Sequence, residues 1–166
     1  MILVIPAIEH KQDAMDFKQE WGNGHIDGSQ GLYKFENYEA WLEYIKKIRN
    51  GEFPGFVHST VYFAVNNDKI VGMIDIRHYL NDALLIRGGH IGYGVRPSER
   101  RKGYAAKMLA LALGECKHLG IDKALLTCDK NNIASAKTIQ KNGGVLENEF
   151  TDDAGGVVQR YWIEII

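Results

Sequence analysis

The stretch Val95-Arg96-Pro97-Ser98-Glu99-Arg100-Arg101-Lys102-Gly103-Tyr104-Ala105-Ala106 decides how this chain is read. Ahead of it, Ile91–Val95 has the apolar composition of a short buried strand. Behind it, Lys102–Leu119 carries Ala105, Met108, Leu109, Ala112, Cys116 and Leu119 on one face of a helix, with Gly120 placed to close it. A helix start offers backbone N–H groups without intrahelical partners, together with the positive end of the macrodipole, which makes it an anion site. Gly103 lets a phosphate approach the backbone, and Ala105 keeps the next contact small. From Arg96 to Lys107, Arg96, Arg100, Arg101, Lys102 and Lys107 face only Glu99, a local excess of +4 in a chain of net charge −1. Taken by itself this is either a solvated basic turn or the seat of a polyanionic ligand.

Working outward, Ile2–Ile5 reads as a strand and Lys11–Trp21 as a helix. Gly22–Gly31 holds four glycines in ten residues and reads as a loop. A second helix follows Asn37 and runs to Asn50-Gly51, with Trp41, Leu42, Ile45 and Ile48 at helical spacing. Val61–Val65 and Ile70–Ile76 read as strands joined by a hairpin at Asn66-Asn67-Asp68. Ala124–Cys128 is a strand, Ile133–Asn142 a helix stopped by Gly143-Gly144, and Val145–Phe150 and Val157–Ile165 close the chain as strands. The order predicts an α/β (mixed α+β) fold: a central sheet of about seven strands flanked by four helices.

The 166 residues suit one domain spanning 1–166. With 45% apolar and 25% charged residues, the composition excludes a surface devoted to nucleic acid. Cys116 and Cys128 have no metal or redox spacing and are expected to be reduced thiols. Met1-Ile-Leu-Val-Ile-Pro6 is too short for a secretory signal, and no run approaches the ~18 apolar residues of a membrane span. A cytoplasmic location is the default. The six histidines form neither His-x-His nor His-Glu-x-x-His, so no metal is expected.

Two familiar phosphate loops do not fit. Nothing supplies the Gly-Lys-Ser/Thr ending of a P-loop, and Pro97 stands where a dinucleotide fingerprint beginning at Gly92-Tyr93-Gly94 needs its third glycine. Arg100-x-x-Gly103-x-Ala105 instead resembles the Arg/Gln-x-x-Gly-x-Gly/Ala signature of the GNAT superfamily, the acetyl-CoA-dependent N-acetyltransferases. Asn132-x-x-Ser135 and Lys141-Asn142-Gly143-Gly144 resemble the second block of that family, so the specific likeness spans about His90–Gly144.

The resemblance implies that the fourth and fifth strands start together and splay apart, with the pantetheine arm of acetyl-CoA between them. Backbone groups at Tyr93, Gly94 and Val95 would pair with its amides. One N–H there would stabilise the tetrahedral oxyanion, a contribution of about 3–4 kcal/mol for a single donor elsewhere. Arg100, Arg101, Lys102, Gly103, Tyr104, Ala105 and Ala106 would hold the pyrophosphate. Asn132, with Ser135, would bond the pantetheine arm or simply cap a helix. The acceptor would be an amine of a small molecule or protein, and the resemblance leaves room for a homodimer.

A primary amine with a pKa of about 10.4 is neutral in roughly 1 molecule in 2,500 at pH 7, a cost of about 4.6 kcal/mol, so a base or a water chain helps. His90 precedes the fourth strand's core, where many family members place a glutamate; it is either the base or a strand end. Where many members carry an acidic tyrosine on the last helix, this chain has Ile139. That leaves protonation of the thiolate to Cys128, Tyr104, Tyr161 or solvent, and keeps open a catalytically weak acetyl-CoA-binding module as the alternative. Cys128 as a covalent nucleophile is the weaker reading. His58 and Tyr79 near strand ends are candidates for the acceptor pocket, and Gly22–Gly31 for a mobile lid over it.

Overall fold

The computed structural model describes residues 1–166. Strand β1 (Ile2–Val4) leads to helices α1 (Lys11–Glu20) and α2 (Tyr38–Arg49). Strands β2 (Ser59–Asn66) and β3 (Lys69–Arg77) form a hairpin, followed by the short helix α3 (Asp82–Ile86) and β4 (Ile91–Val95). Then come α4 (Tyr104–His118), β5 (Lys123–Asp129), α5 (Ile133–Lys141), β6 (Val145–Thr151) and β7 (Val157–Glu164). No helix is long and apolar enough to cross a membrane.

The α/β class and the seven strands are as expected, with two corrections. There are five α-helices, not four. α3 escapes sequence reading because its five residues are too few to show a period and bury nothing; only Asn81, whose side chain accepts the Leu84 N–H, marks its start. The seven strands also divide into two sheets, β1-β2-β3-β4 and β5-β7-β6, in which every ladder is antiparallel.

Two cores follow from the alternation of side chains along β2 and β3. One face puts Val61, Phe63 and Met73 against Ala14 and Phe17 of α1 and Tyr38, Trp41 and Ile45 of α2. The other puts Ala64, Ile74 and Ile76 against Met108, Leu109 and Ala112 of α4, and this core continues into β5 and β7 through Leu126, Cys128 and Tyr161. Asn37 caps α2 by accepting the Ala40 N–H at 2.9 Å. At the hairpin tip, Asn67 and Asp68 both take positive φ (49° and 57°), as a two-residue type I′ turn requires.

The sheets meet at one place. His90 N–H donates to Leu125 O at 2.7 Å, and the Leu125 N–H donates back to the His90 ring Nδ1 at 3.0 Å. The adjoining Gly89 forms the single bridge to Leu126 and adopts φ +63°. A Cβ there would run into the Leu125 carbonyl, so only glycine lets the two strands come this close. Beyond this clasp β4 pairs with β3 alone, from Ile76↔Ile91 to Gly72↔Val95, and β5 turns away to pair with β7. The opening expected between the fourth and fifth strands is therefore present, hinged at His90.

Burial, and after it the Arg77 charge, push His90 down to about 4. An unfolded histidine titrates near 6.5, so between those values the unfolded chain binds a proton that the folded chain refuses. The stability this represents is complete above pH ~6.5 and is lost as pH falls toward 4. His90→Leu, which orphans the buried Leu125 N–H, is expected to cost about 1–3 kcal/mol in urea unfolding at pH 7.5 and to flatten the acid limb between pH 6.5 and 4. His90→Asn retains an acceptor, so an equal loss in both variants would mean that the hydrogen bond is not what matters.

Candidate active site

The opening between β4 and β5 widens into a cavity of about 1330 Å³, above the ~300–1,000 Å³ of most small-ligand sites. Its walls are β4, the starts of α4 and α5, the end of β5, and the Trp21–Phe35 segment.

β4 offers one free edge. The Arg96 N–H donates to Val71 O on β3, so by the two-residue alternation of an antiparallel ladder Gly92 and Gly94 also turn their groups toward β3. Ile91 and Tyr93 then present N–H and C=O to the cavity, and Val95 its N–H, since the Val95 C=O accepts from Arg100 Nε at 3.4 Å. Gly94 contributes by lacking a side chain: a Cβ would lie 2.8 Å from Asp27 O and 3.1 Å from the Trp21 ring.

The edge runs into the start of α4. Arg101 and Gly103 both have positive φ (63° and 80°), turning the loop so that α4 begins at Tyr104 with no side chain capping it. The first i→i−4 bond joins the Lys107 N–H to Gly103 O, so the amides of Tyr104, Ala105 and Ala106 precede the helical ladder. A Cβ on Gly103 would meet nothing within 4 Å, so the loop face is open. Arg100 lies over the Trp21 ring, 4.7 Å from its centroid, and the Trp21 indole N–H is buried without a partner.

The cation cluster read from sequence is only partly available. Arg96 is 5% exposed; it donates to Asp13 and Glu20 at 2.6 Å each and to Ile70 O at 3.0 Å, tying α1 to the end of β4. Burial would raise Glu20, but hydrogen bonds from Arg96 and Ser98 outweigh it and bring it to about 2. Lys102 pairs with Glu99 at 2.7 Å. Arg100 and Arg101 line the cavity instead, joined by Lys137 and Lys141 of α5. Lys137 was missed in the sequence, although its i, i+4 spacing to Lys141 puts both on one helix face.

The remaining site residues fall into three groups. On the α5 side, Tyr93 OH and Ser135 Oγ are 2.9 Å apart, and Cys128 lies beside Ser135. Burial pushes Tyr93 up to about 12 and raises the Cys128 thiol, so both hold their protons at neutral pH. Asn132 caps α5 by accepting the Ser135 N–H at 3.1 Å, leaving its NH₂ free at the cavity wall. Ile139 is fully buried in the core. Tyr104 OH is engaged by the Asn66 side chain at 3.2 Å, toward the β2–β3 turn, and Tyr161 donates to Gln159, so neither hydroxyl joins the Tyr93 cluster.

Second, His90 is buried outside the cavity lining, its Nδ1 already occupied by Leu125. Third, the Gly22–Gly31 loop is anchored. Ile26 and Ser29 are buried, Trp41 Nε1 donates to Ser29 O at 2.9 Å, and Gly28 packs so closely on β4 that a Cβ would be 2.6 Å from Gly92 O. A mobile lid does not follow from this packing. His58 and Tyr79 pack against each other with tilted rings, 5.6 Å between centroids, outside the lining.

One group had no signal in the sequence. Asp75 on β3 sits in register with Gly92, is 1% exposed and lines the cavity. Its Oδ2 receives Gln30 at 3.1 Å and stands 3.5 Å from Arg77 Nε; its Oδ1 has no partner. Burial outweighs Arg77, Ser59 and Gln30 and pushes it up to about 6.

Known proteins resemble this architecture. The microcin self-immunity acetyltransferase MccE, in complex with acetyl-CoA and AMP, superposes with a TM-score of 0.70 at 18% identity, covering 98% of this chain and 91% of its own. A spermidine N-acetyltransferase SpeG variant from Vibrio cholerae gives 0.70 at 16% identity, over 99% and 95%. RimL, a ribosomal-protein α-N-acetyltransferase in complex with coenzyme A, gives 0.70 at 15% identity, over 98% and 93%. These identities establish the fold alone. No protein of curated function matches the chain in sequence. The model of the acetyltransferase (GNAT) family, however, matches residues 24–144, well over half of the 166, and the chain belongs to that family.

Proposed function

We propose that the protein moves the acetyl group of acetyl-CoA onto an amine by direct attack. The observation that carries this reading is the continuity of donors: the free edge of β4 leads into the uncapped first turn of α4, with Arg100, Arg101, Lys137 and Lys141 alongside. An extended amide-bearing arm suits the first part, because it can bond as an added strand. A pyrophosphate suits the second, where unpaired amides and a helix dipole converge on an open glycine. Trp21 N–H and the Asn132 amide are further donors beside the arm.

In this reading the amine nitrogen attacks the thioester carbon and the C–N bond forms. An N–H of the Ile91–Tyr93 edge receives the charge that develops on the carbonyl oxygen. The C–S bond then breaks and the sulfur leaves as thiolate. Tyr93 and Cys128, both protonated at neutral pH, stand beside Ser135 where they can donate a hydrogen bond to it. A raised thiol pKa and burial make Cys128 a poor nucleophile, so no acetyl-cysteine is invoked. His90 serves the reaction only by holding β4 against β5. The binding-module alternative rests on Ile139, but a thiolate leaves without help from an acid at that position.

Gly103→Val places a β-branched residue at φ +80° and fills the open face. It is expected to raise the acetyl-CoA Kd at least ~10-fold by calorimetry, at roughly 1–2 kcal/mol of backbone strain. An unchanged Kd would remove the loop from the phosphate site. Cys128→Ala should keep kcat within ~10-fold of the parent, with intersecting rather than parallel initial-velocity lines. Parallel lines, with activity abolished in that variant, would instead establish a covalent acetyl-enzyme. If acetyl-CoA binds but no amine in a broad panel speeds thiol release, the binding-module reading replaces this one.

A further inference from the structure

Resting on that reading, we propose that the acceptor is a monoamine whose ammonium lies a few bonds from an aromatic ring, received by Asp75 as catalytic base, with the ring held by the aromatic wall around Phe35, Tyr44 and Phe56. Three observations converge on it. The first is the carboxylate. Asp75 Oδ1 is buried, lines the cavity and has no partner, an arrangement that native proteins seldom retain unless something else bonds there. Its position opposite Gly92, which has no side chain, places it beside the stretch of β4 that would receive the thioester.

The second is how the carboxylate is tied to the wall. Gln30 Nε2 donates both to Asp75 Oδ2 and to Ser59 Oγ, at 3.1 and 2.8 Å. It thereby draws two segments, Gln30–Phe35 and Phe56–Ser59, to the same carboxylate. Those segments carry Phe35 and Phe56, and the rings form a chain: Phe35–Tyr44 at 5.2 Å, Tyr44–Phe53 at 5.2 Å and Phe53–Phe56 at 6.1 Å. Phe56 is 51% exposed at the cavity rim, an uncovered ring beside a buried charge. Rings in such a row offer faces and edges to another ring, and their faces attract an ammonium.

The third is what is absent from the charge pattern. A polycation would be met by several free carboxylates, but of the four in the lining Glu99 is paired with Lys69 and Lys102 and Asp129 with Arg87, which leaves Asp75 and Asp27. Asp27 is exposed and faces His25 at 3.2 Å. One buried carboxylate selects one ammonium.

The reaction balances as RNH₃⁺ plus acetyl-S-CoA giving the amide RNHCOCH₃, CoA-SH and one H⁺. Asp75 takes the ammonium proton and passes it to solvent. The nitrogen attacks, and the second proton it sheds as the amide forms neutralises the leaving sulfur. Arg77 is the charged group facing Asp75. Even with it, burial leaves the carboxyl at about 6, still ionised at neutral pH but far more basic than an exposed aspartate.

The test measures thiol release from acetyl-CoA with tyramine, a dipeptide amide beginning with Phe, and spermidine, between pH 5 and 9. Either aromatic amine should exceed spermidine in kcat/KM, and whichever leads identifies a small molecule or a peptide terminus as the source. Asp75→Asn should lower kcat at least ~100-fold while the calorimetric acetyl-CoA Kd stays unchanged. Below pH ~6 the parent's log kcat/KM should climb with slope two and above it with slope one, whereas the variant keeps slope one throughout. Because a raised carboxyl pKa costs stability above about 6, the same variant should melt higher than the parent at pH 8 and gain less at pH 4. Phe56→Ala, at an exposed position, should raise KM for the aromatic amines about 5–10-fold with little change in kcat. Spermidine preferred over both aromatic amines overturns the substrate class. An Asp75→Asn enzyme with more than a tenth of the parent kcat and an unchanged profile overturns the base. In either case intact acetyl-CoA binding leaves the transfer reading standing, whereas loss of acetyl-CoA binding in the parent protein would sink both.

Discussion

Two strands that are joined only where β4 begins, against Leu125 and Leu126 of β5, set the terms for everything else in this fold. If β4 and β5 paired along their length, the seven strands would form one continuous sheet, with edges only at β1 and β6 and none at its centre. The His90–Leu125 pair and the glycine beside it fix the point where pairing stops. Past that point β5 finds its partner in β7, and β4 keeps an edge whose only protein partner is the Arg100 side chain on the Val95 C=O. Exposed strand edges are hazardous, because they template association with other chains. Here the edge faces inward, covered on its flanks by α4, α5 and the Trp21–Phe35 segment, so its bonding capacity is reserved for a ligand that enters the opening.

The anchoring of the Gly22–Gly31 loop belongs to the same constraint. Glycine-rich loops are often read as mobile, but here one glycine and the serine after it do different work. Gly28 is small so that the loop can lie flat on Gly92, and Ser29 accepts the Trp41 indole so that α2 holds it there. The consequence is that one face of β4 is fixed by packing while its edge stays open. Arg96 extends the same brace: it joins Asp13 and Glu20 of α1 to the end of β4 just before the turn that leads into α4. A buried cation with two carboxylates is costly to leave half-paired, so this junction keeps the loop's origin in place.

Much of this was legible in the sequence because it rests on local signals. Apolar periodicity found the four longer helices and all seven strands. The Arg100-x-x-Gly103-x-Ala105 pattern placed the open helix start, because a glycine at positive φ and an uncapped first turn are properties of a few consecutive residues. What sequence could not resolve was pairing over distance. Arg96 and Lys102 counted toward the local +4, yet their carboxylates at Asp13, Glu20 and Glu99 take them out of it. His90 looked like a base because it sits next to the right strand, but the ring nitrogen it would need is bonded 35 residues away in the chain. Asp75 gave no signal, since one aspartate in Lys69–Arg77 reads as the exposed position of an ordinary strand.

That last case inverts the usual logic of burial. A carboxylate at 1% exposure, with one oxygen unpaired and a pKa lifted to about 6, lowers the stability of the folded chain at neutral pH. An asparagine or a small apolar residue would fill the same place at lower cost. The backbone does not depend on the charge: the β2–β3 ladder is complete without it, Gln30 could bond Ser59 alone, and Arg77, its charged partner, is also held by the Gly88 and Gly89 carbonyls. The Arg96 network also buries charge, but there every carboxylate oxygen has a donor and the packing of α1 on β4 depends on it. Local conflicts of the Asp75 kind, met on one oxygen by Gln30 and Arg77 and on the other by nothing, are what sites of chemistry look like when the rest of a fold is internally consistent.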